Sequence, residues 1–268
     1  MPVADVLLEG AIAIARSAAG AILEVYGTDF GVQRKADASP VTAADMAAHR
    51  CIIAGLAALS PSIPVLSEEA THVVPAAERR AWPRYWLVDP LDGTREFVKR
   101  NGEFTVNIAL VDDGVPVFGV IQAPVTGIVW HGADGRAFRR EADDTQRPLH
   151  CRQPATGRLR VAASRSHRDA RTLALMTRIG DTEPVAMGSS LKFCLLAEGA
   201  LDVYPRFGPT SEWDTAAGQA ILEPAGGCVV DPRGRPFRYN QRDTLLNGDF
   251  LALGDPSLEW REWLDVDR

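Results

Sequence analysis

Residues 86–97 read WLVDPLDGTREF. Three apolar residues run directly into Asp89, and a second carboxylate follows at Asp92 with Gly93 and Thr94 behind it. A continuous apolar run is typical of a strand that is covered on both faces. An acid at the end of such a strand emerges at its carboxyl edge, where α/β folds place their chemistry. The stretch therefore predicts a buried strand with a functional site at its end.

Proline at position 90 predicts that the chain turns after the strand, because proline cannot continue the hydrogen-bonded ladder. The turn brings Asp89, the carbonyl of Leu91 and Asp92 around one point. Two carboxylates about 4 Å apart repel by about 4 kcal/mol at an effective dielectric constant near 20. The cluster must therefore bind protons or cations, and oxygen ligands without a nearby His or Cys select Mg²⁺, Mn²⁺ or Ca²⁺. The alternative is a structural turn that is capped by Asp92.

Gly93 and Thr94 indicate the entry to a short helical turn, TREFVKR, at residues 94–100. Its free N–H groups can receive a phosphate, and glycine lets the backbone approach closely. The acids would then hold cations while the backbone holds phosphate oxygens.

Other acids also stand at the ends of predicted elements. Glu68 and Glu69 follow a short strand, Asp45 opens a helix, and Asp214 lies near a helix start. Each has a structural alternative: Asp45 fits a capping box with Thr42, Asp214 suits a helix N-terminus, and the glutamates fit a solvated loop.

The chain of 268 residues has a formal net charge of −6, which argues against binding nucleic acid through a broad basic surface. A small anion in a local cationic pocket is still compatible with this charge. The four cysteines form no C-x-x-C pair, which indicates reduced thiols and a cytoplasmic location.

The N-terminal segment is apolar, but acidic residues replace the basic start of a signal peptide. Its helical spacing predicts an amphipathic core helix, and no run is expected to reach the ~18 residues of a membrane span.

The chain is predicted to consist of two halves, divided within the polar stretch 141–157. Residues 1–155 form an α+β, metal-binding half with a strand meander that turns at Asp113-Gly114 and Asp134-Gly135. Residues 156–268 form an α/β, substrate-binding half, in which a helix is expected over EWDTAAGQAILEPAGG (212–227) and another over SLEWREWL (257–264). The cleft between the halves is the expected ligand site.

WLVDPLDGTREF resembles the first signature of the inositol monophosphatase superfamily, and WDTAAGQAILEPAGG (213–227) resembles the second. SEE (67–69) supplies the remaining acidic element. The resemblance runs nearly end to end and is closest to the CysQ-type 3′(2′),5′-bisphosphate nucleotidase branch. It implies a layered αβαβα sugar-phosphatase-like fold with the active site between the two halves.

The resemblance also implies two Mg²⁺ ions, with Mn²⁺ able to replace them and a third, weaker ion nearby. Glu68, Asp89 and the Leu91 carbonyl would bind one ion. Asp89, Asp92 and Asp214 would bind the other, so that Asp89 bridges the pair.

For catalysis, the resemblance assigns Asp45 and Thr94 to the attacking water, together with Glu68, and makes Glu69 an outer partner of the metal ligands. The hydroxyl of Thr94 is too weak a base by itself but can relay a proton toward Asp45. Two metal ions neutralise the phosphate charge and lower the pKa of a bound water.

Substrate choice is expected to depend on polar groups of the second half, which as a set could form an anion pocket beside the metals: Ser189, Ser190, Lys192, Arg206 and His167. Lys192 or Arg206 alone would fit a solvated surface charge. Inositol phosphatases tend to carry an acid near the position of Arg206, so an arginine there favours a substrate with a second phosphate. The substrate-binding residues implied by the resemblance are Gly93, Thr94, His167, Ser189, Lys192, Arg206 and Asp214.

The function implied is hydrolysis of adenosine 3′,5′-bisphosphate to AMP and phosphate, which clears a by-product of sulfur assimilation, with inhibition by lithium. The alternatives are an inositol or broad-specificity sugar monophosphatase with the same metal site, and a non-catalytic nucleotide and Mg²⁺ sensor. The expected partner is a small nucleotide bisphosphate, without nucleic acid or an integral membrane segment. Weak peripheral membrane association, the oligomeric state and the preference for the sulfated precursor are left open.

Overall fold

The computed structural model describes residues 5–28, 32–34, 40–163 and 170–264. The helices are α1 (Asp5–Tyr26), α2 (Ala43–Leu59), α3 (Ala76–Arg80), α4 (Thr94–Val98), α5 (Ala170–Ile179), α6 (Leu191–Ala197) and α7 (Ala216–Leu222). Short 3₁₀ helices cover Glu68–Val73, Glu212–Asp214 and Trp260–Trp263. The strands are β1 (Val32–Arg34), β2 (Pro40–Thr42), β3 (Val65–Ser67), β4 (Arg84–Asp92), β5 (Thr105–Asp112), β6 (Val115–Gln122), β7 (Val129–Ala133), β8 (Arg136–Arg140), β9 (Gln146–Pro148), β10 (Leu159–Ala163), β11 (Thr182–Ala186), β12 (Val203–Arg206), β13 (Cys228–Val230) and β14 (Phe250–Leu253).

The strands β3 to β9 form a seven-stranded sheet in which each strand neighbours the next along the chain. β3 and β4 are parallel, whereas the later neighbours are antiparallel. The predicted turns are present, with positive φ angles at Asp113 (46°) and Asp134 (50°) followed by glycines at 114 and 135. This sheet contains the predicted meander.

A second, five-stranded sheet has the order β11-β10-β12-β14-β13. β11, β10 and β12 run parallel, and β14 and β13 are antiparallel to their neighbours. The segment between the sheets is not an exposed linker, because Leu149 and Cys151 are buried and the N–H of Cys151 bonds the carbonyl of Ala225. The division at residue 155 stays a prediction.

The two sheets lie in a stack of five layers. α1 and α2 pack on each other and on one face of the seven-stranded sheet, and α7 packs on its other face. α6 and α7 contact each other and the second sheet, and α5 packs on β10. The order of layers is therefore αβαβα, and the predicted layered fold is confirmed.

The continuous apolar sequence of β4 follows from this layering. Trp86 and Val88 belong to the cluster under α1 and α2, whereas Tyr85 and Leu87 belong to the cluster that includes α6 and α7. Because successive side chains of a strand point to opposite faces, both faces must be apolar when helices cover both.

The structure differs from the sequence-based prediction at three elements. β4 does not end at Pro90 but continues to Asp92 through a register irregularity. The helix expected over residues 212–227 is a 3₁₀ turn followed by the shorter α7, and the expected C-terminal helix is reduced to the 3₁₀ turn Trp260–Trp263.

Helix α1 is long and apolar enough to cross a membrane, contrary to the expectation that no segment reaches this length. It was the one such helix found among the residues that the structure describes. Core helices pass the same test, and α1 buries Ala11, Ala15, Ala18 and Ile22 in the cluster shared with α2 and the sheet.

Candidate active site

The register irregularity in β4 determines the face of the sheet to which Asp89 and Asp92 point. Asp89 pairs with Asn107 and Asp92 pairs with Thr105, so three residues of β4 span two residues of β5. Thr105 and Asn107 share one face of the sheet because they are two residues apart. The extra residue, in the Pro90-Leu91 segment, therefore brings both acids to the same side, where a regular strand would separate them.

Asp214 reaches the same place from the loop that precedes α7. The loop is held by a capping box, in which the N–H of Ser211 donates to Asp214 Oδ2 (2.9 Å) and the Ser211 side chain accepts from the N–H of Asp214. The N–H of Asp214 also lies 3.1 Å from the Ser211 carbonyl oxygen. One carboxylate oxygen each of Asp89, Asp92 and Asp214 lie within 4.8 Å of one another. The structure thus brings together three predicted metal ligands that are distant in sequence.

Burial and mutual repulsion disfavour the ionised form of these carboxylates. Burial, followed by the charge of Glu68 and then of its other neighbours, raises the pKa of Asp89 well above its ordinary value. Burial and the charge of Asp92 raise the pKa of Asp214 to about 8, and burial also raises the pKa of Asp92. A set of clustered oxygen donors of this kind fits a hard divalent cation, which would offset the repulsion.

Glu68 and Asp45 lie close enough to the cluster to affect its charge. Ser67 pairs with Val88 in the parallel β3–β4 ladder, so Glu68 stands beside Asp89 at the end of the neighbouring strand. Asp45 is in the first turn of α2 and is buried, and its charge also contributes to the raised pKa of Asp89.

The capping partner expected for Asp45, the side chain of Thr42, lies outside the described side chains. A hydrogen bond that the sequence did not indicate, between His49 Nδ1 and Ser67 Oγ (2.9 Å), joins α2 to the end of β3. It ties together the two elements that carry Asp45 and Glu68. Glu69, the next residue, is half-buried.

Gly93 connects β4 to the short helix α4. Its φ angle of 91° lies in the left-handed region, and a Cβ there would stand 3.1 Å from the Glu103 carbonyl oxygen and 3.3 Å from Ser189 Cβ. Both the turn and the close approach require glycine. Behind it, Thr94 Oγ1 donates a long hydrogen bond (3.4 Å) to the carbonyl of Leu91.

A cavity of about 390 Å³ opens beside the acidic cluster. It joins the acids of the first sheet to cationic groups of the second half. The residues that line it include Asp92, Gly93, Ser189, Lys192, Arg206 and Asp214.

Four cationic residues line this cavity: Arg95 and Lys99 from the first half, and Lys192 and Arg206 from the second. Lys192 Nζ donates to the carbonyl of Ser189 (2.7 Å) and lies 5.2 Å from the centre of the Tyr204 ring. Burial lowers the pKa of Lys192 to about 8. Arg206 donates from Nη2 to the Pro209 carbonyl (2.9 Å), and its buried Nε has no hydrogen-bond partner among the described residues.

His167, which completes the predicted substrate-binding set, lies outside the described residues. Ser190 belongs to the polar set that was predicted to form an anion pocket, whereas no role was predicted for Thr105 or Asn107. Ser190 donates its backbone N–H to Asp92 Oδ2 (2.5 Å), and its hydroxyl bonds Thr105 and Asn107. Thr105 and Asn107 carry no charge, and the pairing of β5 with β4 brings them to the acid.

Comparison with known proteins agrees with this architecture. The model of the inositol monophosphatase family matches residues 4–256. The chain is 51% identical over 255 residues to a Shigella flexneri protein named 3′(2′),5′-bisphosphate nucleotidase CysQ, covering 91% of this chain and 98% of that protein. Its Escherichia coli K12 counterpart of the same name is 49% identical with the same coverage.

Among solved structures, CysQ from Bacteroides thetaiotaomicron matches with a TM-score of 0.79 and 40% identity, covering 91% of this chain and 96% of that one. The extragenic suppressor protein suhB from Bartonella henselae has the same TM-score at 23% identity, covering 98% and 99%, and shares the fold. By sequence and by architecture, the chain belongs to the inositol monophosphatase family.

Proposed function

We propose that this protein is a Mg²⁺-dependent phosphatase that removes the 3′-phosphate of adenosine 3′,5′-bisphosphate and releases AMP and phosphate. The observation that carries the proposal is the cavity itself, in which clustered carboxylates adjoin Lys192 and Arg206. Such a site can hold one phosphate against cations and a second against basic side chains. The names of the most similar relatives support this substrate.

In this proposal, Glu68, Asp89 and the Leu91 carbonyl would hold one cation. Asp89, Asp92 and Asp214 would hold a second. The pKa shifts support shared cations, because burial and like charge disfavour the anionic carboxylates unless positive charge lies among them. When bound, the cations neutralise phosphate charge and lower the pKa of a coordinated water.

Asp45 and Thr94 are proposed to orient the attacking water, with Glu68 beside them. Thr94 Oγ1 accepts a proton from the water and passes its own proton toward the Asp45 carboxylate. The long bond from Thr94 to the Leu91 carbonyl is compatible with this exchange of partners. The water oxygen attacks phosphorus, the bond to the ribose 3′-oxygen breaks, and that oxygen leaves as a hydroxyl after protonation.

The second phosphate is proposed to bind Ser189, Lys192 and Arg206, with His167 near the rest of the nucleotide. The unpartnered Nε of Arg206 supports this role, because a buried guanidinium donor without a partner is costly unless a ligand satisfies it. Gly93 and Thr94 are proposed to receive the reacting phosphate through their backbone N–H groups.

The proposal includes the division into a metal-binding half, residues 1–155, and a substrate-binding half, residues 156–268. A cytoplasmic location also belongs to it. The four cysteines support this location, since all of them are free thiols in the structure. Lithium inhibition and clearance of a by-product of sulfur assimilation follow from the family resemblance.

The test is steady-state phosphate release with Mg²⁺, comparing adenosine 3′,5′-bisphosphate with inositol 1-phosphate. The expected result is a higher kcat/KM for the bisphosphate. A higher kcat/KM for the inositol ester would overturn the proposed substrate, and absence of phosphate release from both would overturn the proposed activity.

A further inference from the structure

We propose that the Ser190 side chain is a positioning group for the cation site, acting through Asp92. The loop 188–190 leads into α6, whereas Asp92 ends β4 in the other sheet. Ser190 is 2% exposed and joins the two. This inference rests on the proposed role of Asp92 as a metal ligand.

A hydrogen bond joins Ser190 directly to Asp92. The Ser190 backbone N–H donates to Asp92 Oδ2 at 2.5 Å. Asn107 Nδ2 donates a longer bond to the same oxygen (3.5 Å). Both donors hold the same oxygen, Oδ2, of Asp92. Outer hydrogen bonds of this kind orient metal-binding carboxylates.

The Ser190 hydroxyl makes two hydrogen bonds to β5. Asn107 Oδ1 accepts from it at 2.8 Å, and Thr105 Oγ1 lies 2.8 Å from it on β5. A hydroxyl that donates to Asn107 can accept from Thr105, so all three side chains are satisfied together. The Ser190 hydroxyl therefore already has two protein partners on β5.

The register of β4 and β5 places the two hydroxyl partners of Ser190 opposite the acids. Thr105 is the pairing partner of Asp92, and Asn107 is the pairing partner of Asp89. The two residues that clamp the Ser190 hydroxyl are thus fixed to the same pair of strands that presents the acids. Removing the hydroxyl removes both bonds from Ser190 to β5, so the N–H that orients Asp92 is expected to be held less firmly.

The other residues of the loop differ from Ser190 in their contacts. Gly188 donates its N–H to Glu103 Oε2 (2.8 Å), which anchors the start of the loop. Ser189 and Lys192 line the cavity and are proposed to bind the ligand. Ser190 also lines the cavity, but its hydroxyl bonds Thr105 and Asn107 on β5, so neighbouring serines in one motif have different roles.

The experiment measures Mn²⁺ binding by calorimetry in the absence of nucleotide, on wild-type protein and on Ser190→Ala. The variant keeps its backbone N–H but loses the hydroxyl. The expected result is a Kd for Mn²⁺ that rises about 10- to 100-fold, as is typical when an outer partner of a metal ligand is removed. Ser190→Thr, which keeps a hydroxyl, is expected to restore most of the affinity.

Ser60→Ala is the matched control. Ser60 is also buried and its hydroxyl accepts from Trp86 Nε1 (2.8 Å), but it lies at the end of α2 rather than at the cavity. Its loss tests what a buried hydroxyl contributes to the fold alone. A Mn²⁺ Kd for Ser190→Ala within twofold of wild type, or a rise matched by Ser60→Ala, would overturn the inference.

Thr105→Val is the second variant, because valine has nearly the shape of threonine and removes only the other clamp on the Ser190 hydroxyl. It is expected to weaken Mn²⁺ binding by a smaller factor than Ser190→Ala, and an unchanged Kd would also contradict the proposal.

The calorimetric readout does not depend on phosphate release. A protein that binds Mn²⁺ in this Ser190-dependent way but hydrolyses no bisphosphate would refute the proposed function and leave this inference intact.

Discussion

At the scale of single residues, Asp89 shows how environment determines chemistry. It is 2% exposed, its Oδ1 accepts the N–H of Leu91 (3.0 Å), and four other carboxylates raise its pKa. An isolated charge there would be strongly disfavoured, because burial removes water and like charges repel. The same arrangement becomes favourable when divalent cations lie among the acids.

Arg206→Ala tests the proposed second-phosphate site. Loss of a charge-assisted hydrogen bond costs about 1.5–3 kcal/mol, so kcat/KM for adenosine 3′,5′-bisphosphate should fall roughly 10- to 100-fold. A substrate with a single phosphate should be much less affected. Steady-state kinetics on both substrates measure the difference, with Arg158→Ala as a surface control because Arg158 pairs with the exposed Asp181. Equal losses on both substrates would exclude Arg206 from this role.

His131→Phe tests a pH effect on stability that is separate from the active site. His131 is 3% exposed, stacks on Phe138, and has a pKa lowered to about 4, mainly by burial. Between pH 6.5 and 4 the unfolded chain binds a proton at this residue that the folded protein does not. Stability is therefore lost as pH falls through this range, by about 3 kcal/mol in total.

Phenylalanine cannot titrate, so the variant should lose about 3 kcal/mol less than wild type between pH 7.5 and pH 4. Urea unfolding at a series of pH values measures this difference. Parallel pH profiles for the two proteins would show that His131 is protonated without cost in the folded state.

At the scale of elements, the position of Asp214 depends on the packing of α7. Two glycines, Gly119 on β6 and Gly132 on β7, let the helix lie directly on the sheet. A Cβ at Gly119 would stand 2.9 Å from Ala220 Cβ and 3.0 Å from Ala217 Cα. Since α7 begins two residues after Asp214, displacement of this helix moves the acid.

Gly119→Ala is accordingly expected to destabilise the protein by about 1–3 kcal/mol through overpacking and to weaken Mn²⁺ binding as well. Gly20→Ala is the matched control, because a Cβ there meets nothing within 4 Å and lies inside α1. The same substitution should stabilise by about 0.5–1 kcal/mol at that position. Thermal unfolding and calorimetry test both; a fully stable Gly119→Ala protein would contradict the role of close packing.

The elements could be predicted from the sequence where a periodic pattern or a turn signal was strong. The apolar run of β4 and the Asp-Gly turns of the meander are such cases. The course of β4 beyond Pro90 could not be predicted, because a bulge lets proline stay in a strand and only the partner strand shows it. The sequence SLEWREWL has helical composition, yet only Trp260–Trp263 forms a 3₁₀ turn.

At the scale of the whole molecule, the candidate site is assembled from distant parts of the chain. Asp89 and Asp92 end β4, Glu68 follows β3, Asp45 begins α2 and Asp214 precedes α7. The acids were predictable because they lie in stretches that match the family signatures. The bonds that join Ser190 to Asp92, Thr105 and Asn107 were not predictable, since they depend on how the fold places these residues.

The central claim is that divalent cations lie among these carboxylates. The most direct measurement is calorimetric titration of metal-free wild-type protein and Asp89→Asn with Mn²⁺, without substrate. Asparagine keeps an oxygen that can accept the Leu91 N–H but removes the charge shared by both proposed cation positions. We expect the wild type to bind Mn²⁺ saturably and the variant to lose this binding. Equal Mn²⁺ affinity in the two proteins, or no binding by the wild type, would contradict it.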